Sequence, residues 1–328
     1  MTALVDRHGR RVTYLRVSVT DRCNFRCLYC MPEDGVPSKP HGDILRYEEI
    51  ARLVRVAASL GISKVRLTGG EPLVRAGIVD LVRMLAAIPG IEDLALTTNG
   101  ALLAPQAASL AAAGLRRVNV SLDTLRADRF ERITRRGRLQ DVLDGIAAAR
   151  RVGLNPVKVN AVVIRGLNDD EVVDVARRSL SDGWHVRFIE VMPLGEGSHW
   201  SGDGYVPAHE TRARIEAALG PLQAEAPDMR GPARTWRLPR AEGSIGFISP
   251  VSEHFCGYCN RLRLTADGRL LPCLLSDTEV DVRGLLRAGA GDDELAAALA
   301  AAVAAKPAGH NLRQGALPSG RPMSGIGG

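Results

Sequence analysis

The sequence predicts an α/β fold, an incomplete (β/α)6 TIM-like barrel with a C-terminal extension, and three observations predict it. Apolar strand-like runs alternate with stretches of helical period through the first 191 of 328 residues, the mark of parallel βαβ units. Six such cycles follow one another with no signal of a doubly wound reversal. The short motifs that carry chemistry fall where each predicted strand ends, the face on which a barrel of this kind gathers its functional groups.

In order, the first predicted strand, 13–19, carries Arg16 and Ser18 and runs into a cysteine-rich loop. A helix over 47–60 stops at Gly61, as a C-terminal glycine should. Strand 64–68 ends in Gly69-Gly70-Glu71-Pro72 and helix 78–87. The cycle repeats with strand 94–97 and helix 105–113, strand 117–121 and helix 139–152, strand 157–164 and helix 169–180, and a sixth strand over 185–191 followed by Met192-Pro193. The Pro- and Gly-rich interval 193–207 breaks the rhythm, so the expected division is a partial barrel over 1–200 and a C-terminal region over 201–328. There the pattern predicts helices over 209–219 and 292–305 and short strands over 235–238, 246–248 and 261–265. The tail, 307–328, holds six Gly and three Pro and ends in Gly327-Gly328, a sequence expected to be disordered unless it docks and brings Arg313 or Arg321 with it.

With 45% hydrophobic and 24% charged residues the chain has the composition of a globular protein with a sizeable core. Its apolar runs stay below the roughly 18 residues of a membrane span, and 1–11 is too charged for a signal peptide. A cytoplasmic location is expected. The net charge of +6 favours an anionic ligand. Nucleic acid is not expected, because an aromatic content of 4% is poor for base stacking.

The six cysteines fall into two groups of three. Cys23, Cys27 and Cys30 lie within eight residues as C-x3-C-x2-C. Thiolates so close bend toward one centre, and three of them on an iron-sulfur cube leave the fourth iron open to another ligand. A zinc site normally closes with four ligands, and a disulfide would strand one thiol; both stay open on spacing alone. Cys256, Cys259 and Cys273 form a second three-point site, which His254 could complete for zinc or which could hold a second cluster. Gly69-Gly70 offers backbone without side chains that can approach a ligand closely. Arg16, Arg66, Lys158 and Arg187 sit on predicted strands, and Arg261 and Arg263 alternate on one face of a strand after Cys259. Cations pointing into a barrel are costly unless paired, and guanidinium groups match phosphate oxygens in bidentate fashion, so a triphosphate fits them.

The C-x3-C-x2-C loop, with Tyr29 before its third cysteine, resembles that of the radical S-adenosylmethionine (SAM) enzymes. With Arg66-Leu-Thr-Gly-Gly-Glu-Pro72, Leu96-Thr-Thr-Asn-Gly100, Asn119-Val-Ser-Leu-Asp123, the C-x2-C-x13-C set and the terminal Gly-Gly, the chain from about Arg11 to Gly328 resembles the GTP 3′,8-cyclase family of molybdenum cofactor biosynthesis. The resemblance implies that Cys23, Cys27 and Cys30 ligate a SAM-binding 4Fe-4S cluster and Cys256, Cys259 and Cys273 a second 4Fe-4S cluster that holds the GTP base. It implies that Tyr29, Gly70, Ser121 and Met192 contact SAM, and that Arg16, Arg66, Thr97, Lys158 and the Arg261-Leu262-Arg263 segment contact GTP, with Arg187 added to them. In that family a 5′-deoxyadenosyl radical takes hydrogen from C3′ of GTP and the sugar radical attacks C8, giving (8S)-3′,8-cyclo-7,8-dihydroguanosine 5′-triphosphate. The implied partners are an electron donor such as flavodoxin or ferredoxin and a downstream cyclic pyranopterin monophosphate synthase, with a homodimer admitted. The rival readings are a radical SAM peptide-modifying enzyme with an auxiliary cluster and a zinc-stabilised nucleic-acid-binding regulator.

Overall fold

Side chains alternate across a strand, and here the two faces differ in chemistry. Outward positions such as Leu15, Val17, Leu67, Leu96, Val118 and Val120 are apolar and fully buried in one core; inward positions carry Arg, Lys, Thr and Asn. A computed structural model describes residues 3–226, 231–310, 312, 321 and 323–327. In it the six predicted strands are β1 (Tyr14–Ser18), β2 (Lys64–Thr68), β3 (Asp93–Thr98), β4 (Arg117–Ser121), β5 (Lys158–Val163) and β6 (His185–Glu190). Between them lie α1 (Tyr47–Ser59), α2 (Ile78–Ala86), α3 (Leu103–Ala112), α4 (Ala127–Thr134), α5 (Leu139–Arg151) and α6 (Val172–Ser181). Of these only α4 is unforeseen. Half of its residues are charged, and of the buried Phe130, Ile133 and Thr134 only the first two, one turn apart, are apolar.

After residue 200 follow α7 (Ala208–Leu219), β7 (Gln223–Ala224), β8 (Arg234–Arg237), β9 (Ile245–Ile248), β10 (Arg261–Leu264), β11 (Arg269–Leu271), β12 (Val280–Asp281), α8 (Arg283–Arg287), α9 (Asp292–Ala304) and α10 (Met323–Ile326). The predicted short strands are β8, β9 and β10. The unforeseen β7, β11 and β12 have only two or three residues and the helices α8 and α10 little more than one turn, too short to leave a period in the sequence. The twelve strands of the described residues join one sheet in the order β12-β11-β10-β1-β2-β3-β4-β5-β6-β9-β8-β7. The barrel is incomplete, as expected: β1 to β6 run parallel, β10 adds in parallel beside β1, and β9 adds in parallel beside β6. Thus the segment after 200 extends the barrel's sheet at both edges.

Register sets the inner surface. Arg263, Arg16 and Arg66 are lateral neighbours on β10, β1 and β2. One layer below, Arg261, Tyr14 and Lys64 form a second row, and Thr97, Asn119 and Lys158 a third on β3, β4 and β5. Arg313 and Gly328 lie outside the described residues. The described end of the chain docks: Arg321 donates from Nη1 to Asp267 Oδ1 at 3.0 Å and from Nη2 to Glu279 Oε2 at 2.8 Å, and Ser324, Gly325 and Ile326 are buried.

Because the outward layer carries the stability, Leu67→Ala, which empties a fully buried position under the helices, is expected to cost about 2–5 kcal/mol. Denaturant unfolding should show the midpoint falling with an unchanged slope.

Candidate active site

The inner face and the loops at the C-terminal strand ends enclose a cavity of about 330 Å³, within the range of small-molecule sites. Cys23, Cys27 and Cys30 line it, as do Tyr29, Gly70, Ser121 and Met192. So do Arg16, Arg66, Thr97, Lys158, Arg187, Arg261 and Arg263. Leu262 does not: its side chain is fully buried in the hydrophobic core, so only its backbone can reach a ligand. The second cysteine trio is likewise absent from the wall, which takes its neighbours Phe255, Arg261 and Leu274 instead.

The first trio is held from two sides. Arg26 N and Leu28 N donate to Thr134 O and Ile133 O at the end of α4, at 2.9 and 3.0 Å. Arg135, in the left-handed region at φ 59°, donates from Nη1 to Arg26 O and Met31 O, each at 3.1 Å. On the other side, Gly70 N donates to Thr20 O at 2.8 Å and Glu71 N to Arg22 O at 2.8 Å. A Cβ on Gly70 would stand 2.4 Å from Arg22 O and 2.8 Å from Asp21 O, both backbone atoms. The absence of a side chain at Gly70 is therefore required by the cysteine loop, a reason beyond the ligand approach expected from sequence. Glu71 is buried and ties the next loop down, accepting from Leu73 N at 2.9 Å, Thr98 Oγ1 at 2.8 Å and Asn99 N at 2.6 Å. Burial raises it to about 7 despite those bonds. Asp123 accepts from Tyr29 Oη at 2.6 Å and Val162 N at 2.8 Å, and burial raises it to about 6.

The thiols fit a cluster. All six cysteines are unpaired, which removes the disulfide reading. Burial, and after it Cys30, Asp123 and Cys23, push Cys27 well up, and burial with Cys23 and Asp123 pushes Cys30 up to about 12. Three thiolates in this space need a multivalent cationic centre to balance them. Among the described residues no three His, Cys, Asp or Glu are placed to hold a single metal ion. His254, the zinc ligand allowed by spacing, packs edge-on against the His310 ring at 5.2 Å between centroids. In the second trio, burial opposes the Cys259 thiolate, but Arg261 and Lys306 outweigh it and bring the thiol down to about 7.

The cations of the inner face have the opposite problem. Arg66 Nε, Thr97 Oγ1, Asn119 Oδ1, Asn160 Oδ1, Arg263 Nη1 and Ser324 Oγ are buried without a hydrogen-bond partner among the described residues, and all six residues line the cavity. Buried polar atoms are normally satisfied, so the set marks where a polar ligand goes. Burial, then Arg187, Arg117, Arg66 and Lys64, lower Lys158 to about 6. Tyr14 falls to about 7 because Arg66, Arg16, Lys64 and Arg261 outweigh its burial. Gly327 lies in the same cavity, its carbonyl accepting from Arg16 Nη2 at 2.9 Å.

Sequence reasoning missed Tyr14, Lys64, Arg117 and Asn160, which also line the cavity. The signal was available, since Tyr14 and Lys64 share the inward parity of Arg16 and Arg66 on their strands.

A parallel partial barrel with a C-x3-C-x2-C loop after its first strand defines a radical SAM protein, and residues 17–178 match the Radical SAM superfamily model. Residues 184–312 match the model for Molybdenum Cofactor Synthesis C. The chain belongs to the GTP 3′,8-cyclase family: it is 55% identical over 324 residues to the GTP 3′,8-cyclase of Pelotomaculum thermopropionicum, covering 98% of this chain and 99% of the relative. To that of Moorella thermoacetica it is 56% identical over 325 residues, covering 98% and 99%. Its fold is similar to that of Streptococcus suis SuiB bound to S-adenosylmethionine, with a TM-score of 0.60 and 14% identity over 87% of this chain and 67% of that one. Family membership decides against the peptide-modifying and nucleic-acid-binding readings. The cofactors are two 4Fe-4S clusters and SAM. Among the described residues no helix is long and apolar enough to cross a membrane.

Gly70→Ala is expected to displace the Asp21–Arg22 backbone and abolish assembly of the first cluster while the second still forms. Iron content per chain, with the spectrum of each cluster, checks this; full iron loading would contradict it.

Proposed function

We propose that this cavity is where GTP is converted to (8S)-3′,8-cyclo-7,8-dihydroguanosine 5′-triphosphate, the first step of molybdenum cofactor biosynthesis. The observation that carries the reading is the set of unsatisfied polar atoms and stacked rows of cations opening onto the same space as the first cysteine trio. Two like charges 4 Å apart repel by about 4 kcal/mol at an effective dielectric of 20, so rows of Arg and Lys favour a polyanion strongly.

In this reading Cys23, Cys27 and Cys30 hold the SAM-binding cluster, and Cys256, Cys259 and Cys273 hold the second. Held by Cys23, Cys27 and Cys30, the first cluster would supply the electron for reductive cleavage of SAM, and the second, held by Cys256, Cys259 and Cys273, would supply a ligation point for the guanine base. The chain positions the reactants. Tyr29, Gly70, Ser121 and Met192 receive SAM beside the first trio. Arg16, Arg66 and Arg263 supply planar forks for phosphate oxygens, Arg187 and Lys158 close the far side, and Thr97 offers its unpaired hydroxyl. Arg261 lies with its guanidinium 4.6 Å over the Phe255 ring, between the cavity and the second trio, where it aligns the purine end. The Leu262 peptide takes part through its backbone. Residues 201–328 act as the region that brings the second cluster. An electron donor of the flavodoxin or ferredoxin type, a cyclic pyranopterin monophosphate synthase acting on the product, a homodimeric assembly and a cytoplasmic location complete the reading.

Replacing Arg261 and Arg263 together by Ala should weaken GTP binding at least tenfold and spare reductive SAM cleavage, measured by equilibrium binding and by release of 5′-deoxyadenosine; unchanged GTP affinity would remove both from the cradle. A second outcome concerns protons. Without ligand Lys158 titrates near 6 and is mostly neutral at pH 7.5; a triphosphate beside it raises that value. GTP binding should therefore take up protons above pH 6, and the uptake should fade below about pH 5, where Lys158 is charged in both states. Calorimetry in buffers of different ionisation enthalpy measures the uptake, and Lys158→Met should reduce it.

A further inference from the structure

Lys306 follows α9 and is 4% exposed. An ammonium has three donors, and each of the three has a partner. Nζ donates to Arg261 O at 2.7 Å and to Pro272 O at 2.9 Å, and it faces Cys259 Sγ at 3.9 Å. Those carbonyls sit two residues after Cys259 and one before Cys273, so a single cation pins both segments that deliver these cysteines. Arg10 does the same for the third. Its Nη1 donates to Cys256 O at 2.6 Å and Ala308 O at 3.1 Å, its Nη2 to Pro307 O at 2.6 Å, and Asp6 locks its Nε at 2.6 Å. The two cations differ in one respect. Arg10 is neutralised by Asp6, whereas the partners of Lys306 are two neutral carbonyls and a thiol. Burying a charge is costly unless it is compensated, and the thiolates are the compensation within reach.

We infer that Lys306 is a positioning residue for the second cluster, orienting the Cys259 and Cys273 segments and placing one uncompensated positive charge against the cluster's thiolate shell. This rests on the assignment of Cys256, Cys259 and Cys273 as the ligands of that cluster. Its consequence is electronic. Reduction adds negative charge to the cluster, a fixed cation beside it favours the reduced form, and hydrogen bonds and charge at the sulfurs are among the levers that set such potentials. The residue thereby tunes the site that receives the guanine base without touching substrate.

The test uses the full chain, reconstituted without oxygen, with iron counted and both clusters followed by paramagnetic resonance during potentiometric titration. A Cys273→Ala chain, left with the first cluster, assigns the two signals. Lys306→Gln and Lys306→Met should shift the second cluster's reduction equilibrium at least tenfold toward the oxidised form, about 59 mV for a one-electron couple. The first cluster should stay put, and Lys306→Arg should restore most of the shift. Loss of the second cluster alone from the Gln and Met chains, with Arg retaining it, also supports the inference. An unchanged potential in loaded Gln or Met chains would overturn it, as would equal movement of both clusters or loss of the second from the Arg chain too. Loss of both clusters from the Gln and Met chains would mean the whole fold depends on Lys306 and would overturn the local role. A wild-type chain holding only about four irons would instead show that the ligand assignment itself has failed, and the inference with it.

Discussion

The structure depends on the repulsion among cations confined to the inner face of a parallel sheet. Strand register puts Arg263, Arg16 and Arg66 side by side, with Arg261 and Lys64 one layer away. Barrels of this type usually fill that space with branched apolar side chains. This one leaves stability to the outer layer, where the strands bury Leu, Val and Ile under the helices, and keeps the interior charged. The neighbours respond to this environment. The cations outweigh burial and bring Tyr14 down to about 7, while burial first and the cations after it bring Lys158 down to about 6 and the half-buried His185 down to about 4. All three shifts reduce local positive charge. An anionic ligand relieves in one step what the fold relieves only by these shifts.

The loops that roof the cavity follow a second rule. A buried carboxylate collects their backbone N–H groups instead of leaving them to water. Glu71 takes those of Leu73 and Asn99, Asp123 that of Val162, and Glu171 that of Leu125. Glu190 takes three, from Ala208, Val251 and Ser252, at 2.9 to 3.0 Å. Charge-assisted bonds of this kind are stronger than neutral ones. They fix the rim while leaving little side-chain bulk inside it. Glu190 also fastens the last barrel strand to two segments of the later chain, so the rim is shared between the two halves of the sequence.

Much of this was legible in the residues. The six strands and their helices showed because apolar periodicity is strong where an element has one buried face, and the cysteine loops showed because their spacing is local. The gaps have physical causes. Helix α4 is half charged and is helical because Phe130 and Ile133 find the cysteine loop, a tertiary event. Strands β7, β11 and β12 are held by their neighbours rather than by their own sequence. Tyr14 and Lys64 were missed for another reason: alternation already puts them on the face of Arg16 and Arg66, but a lone aromatic or lysine on a strand has no local mark of a site. Gly70 was singled out, yet the main constraint on it, contact with the Asp21–Arg22 backbone, comes from a loop 48 residues earlier.

The order of the strands has a bearing on how such a molecule comes into being. The flanks of β1 and β6 are covered by β10 and β9, which the ribosome delivers only after all six barrel strands. A growing chain that has reached its sixth strand thus presents two bare ladders of peptide groups, the kind of edge that invites pairing with a stranger. The pocket also lacks Arg261 and Arg263 until that moment. Protection from misassembly and competence for ligand arrive together, with β9 and β10, so a product cut short before them would be sticky and empty at once.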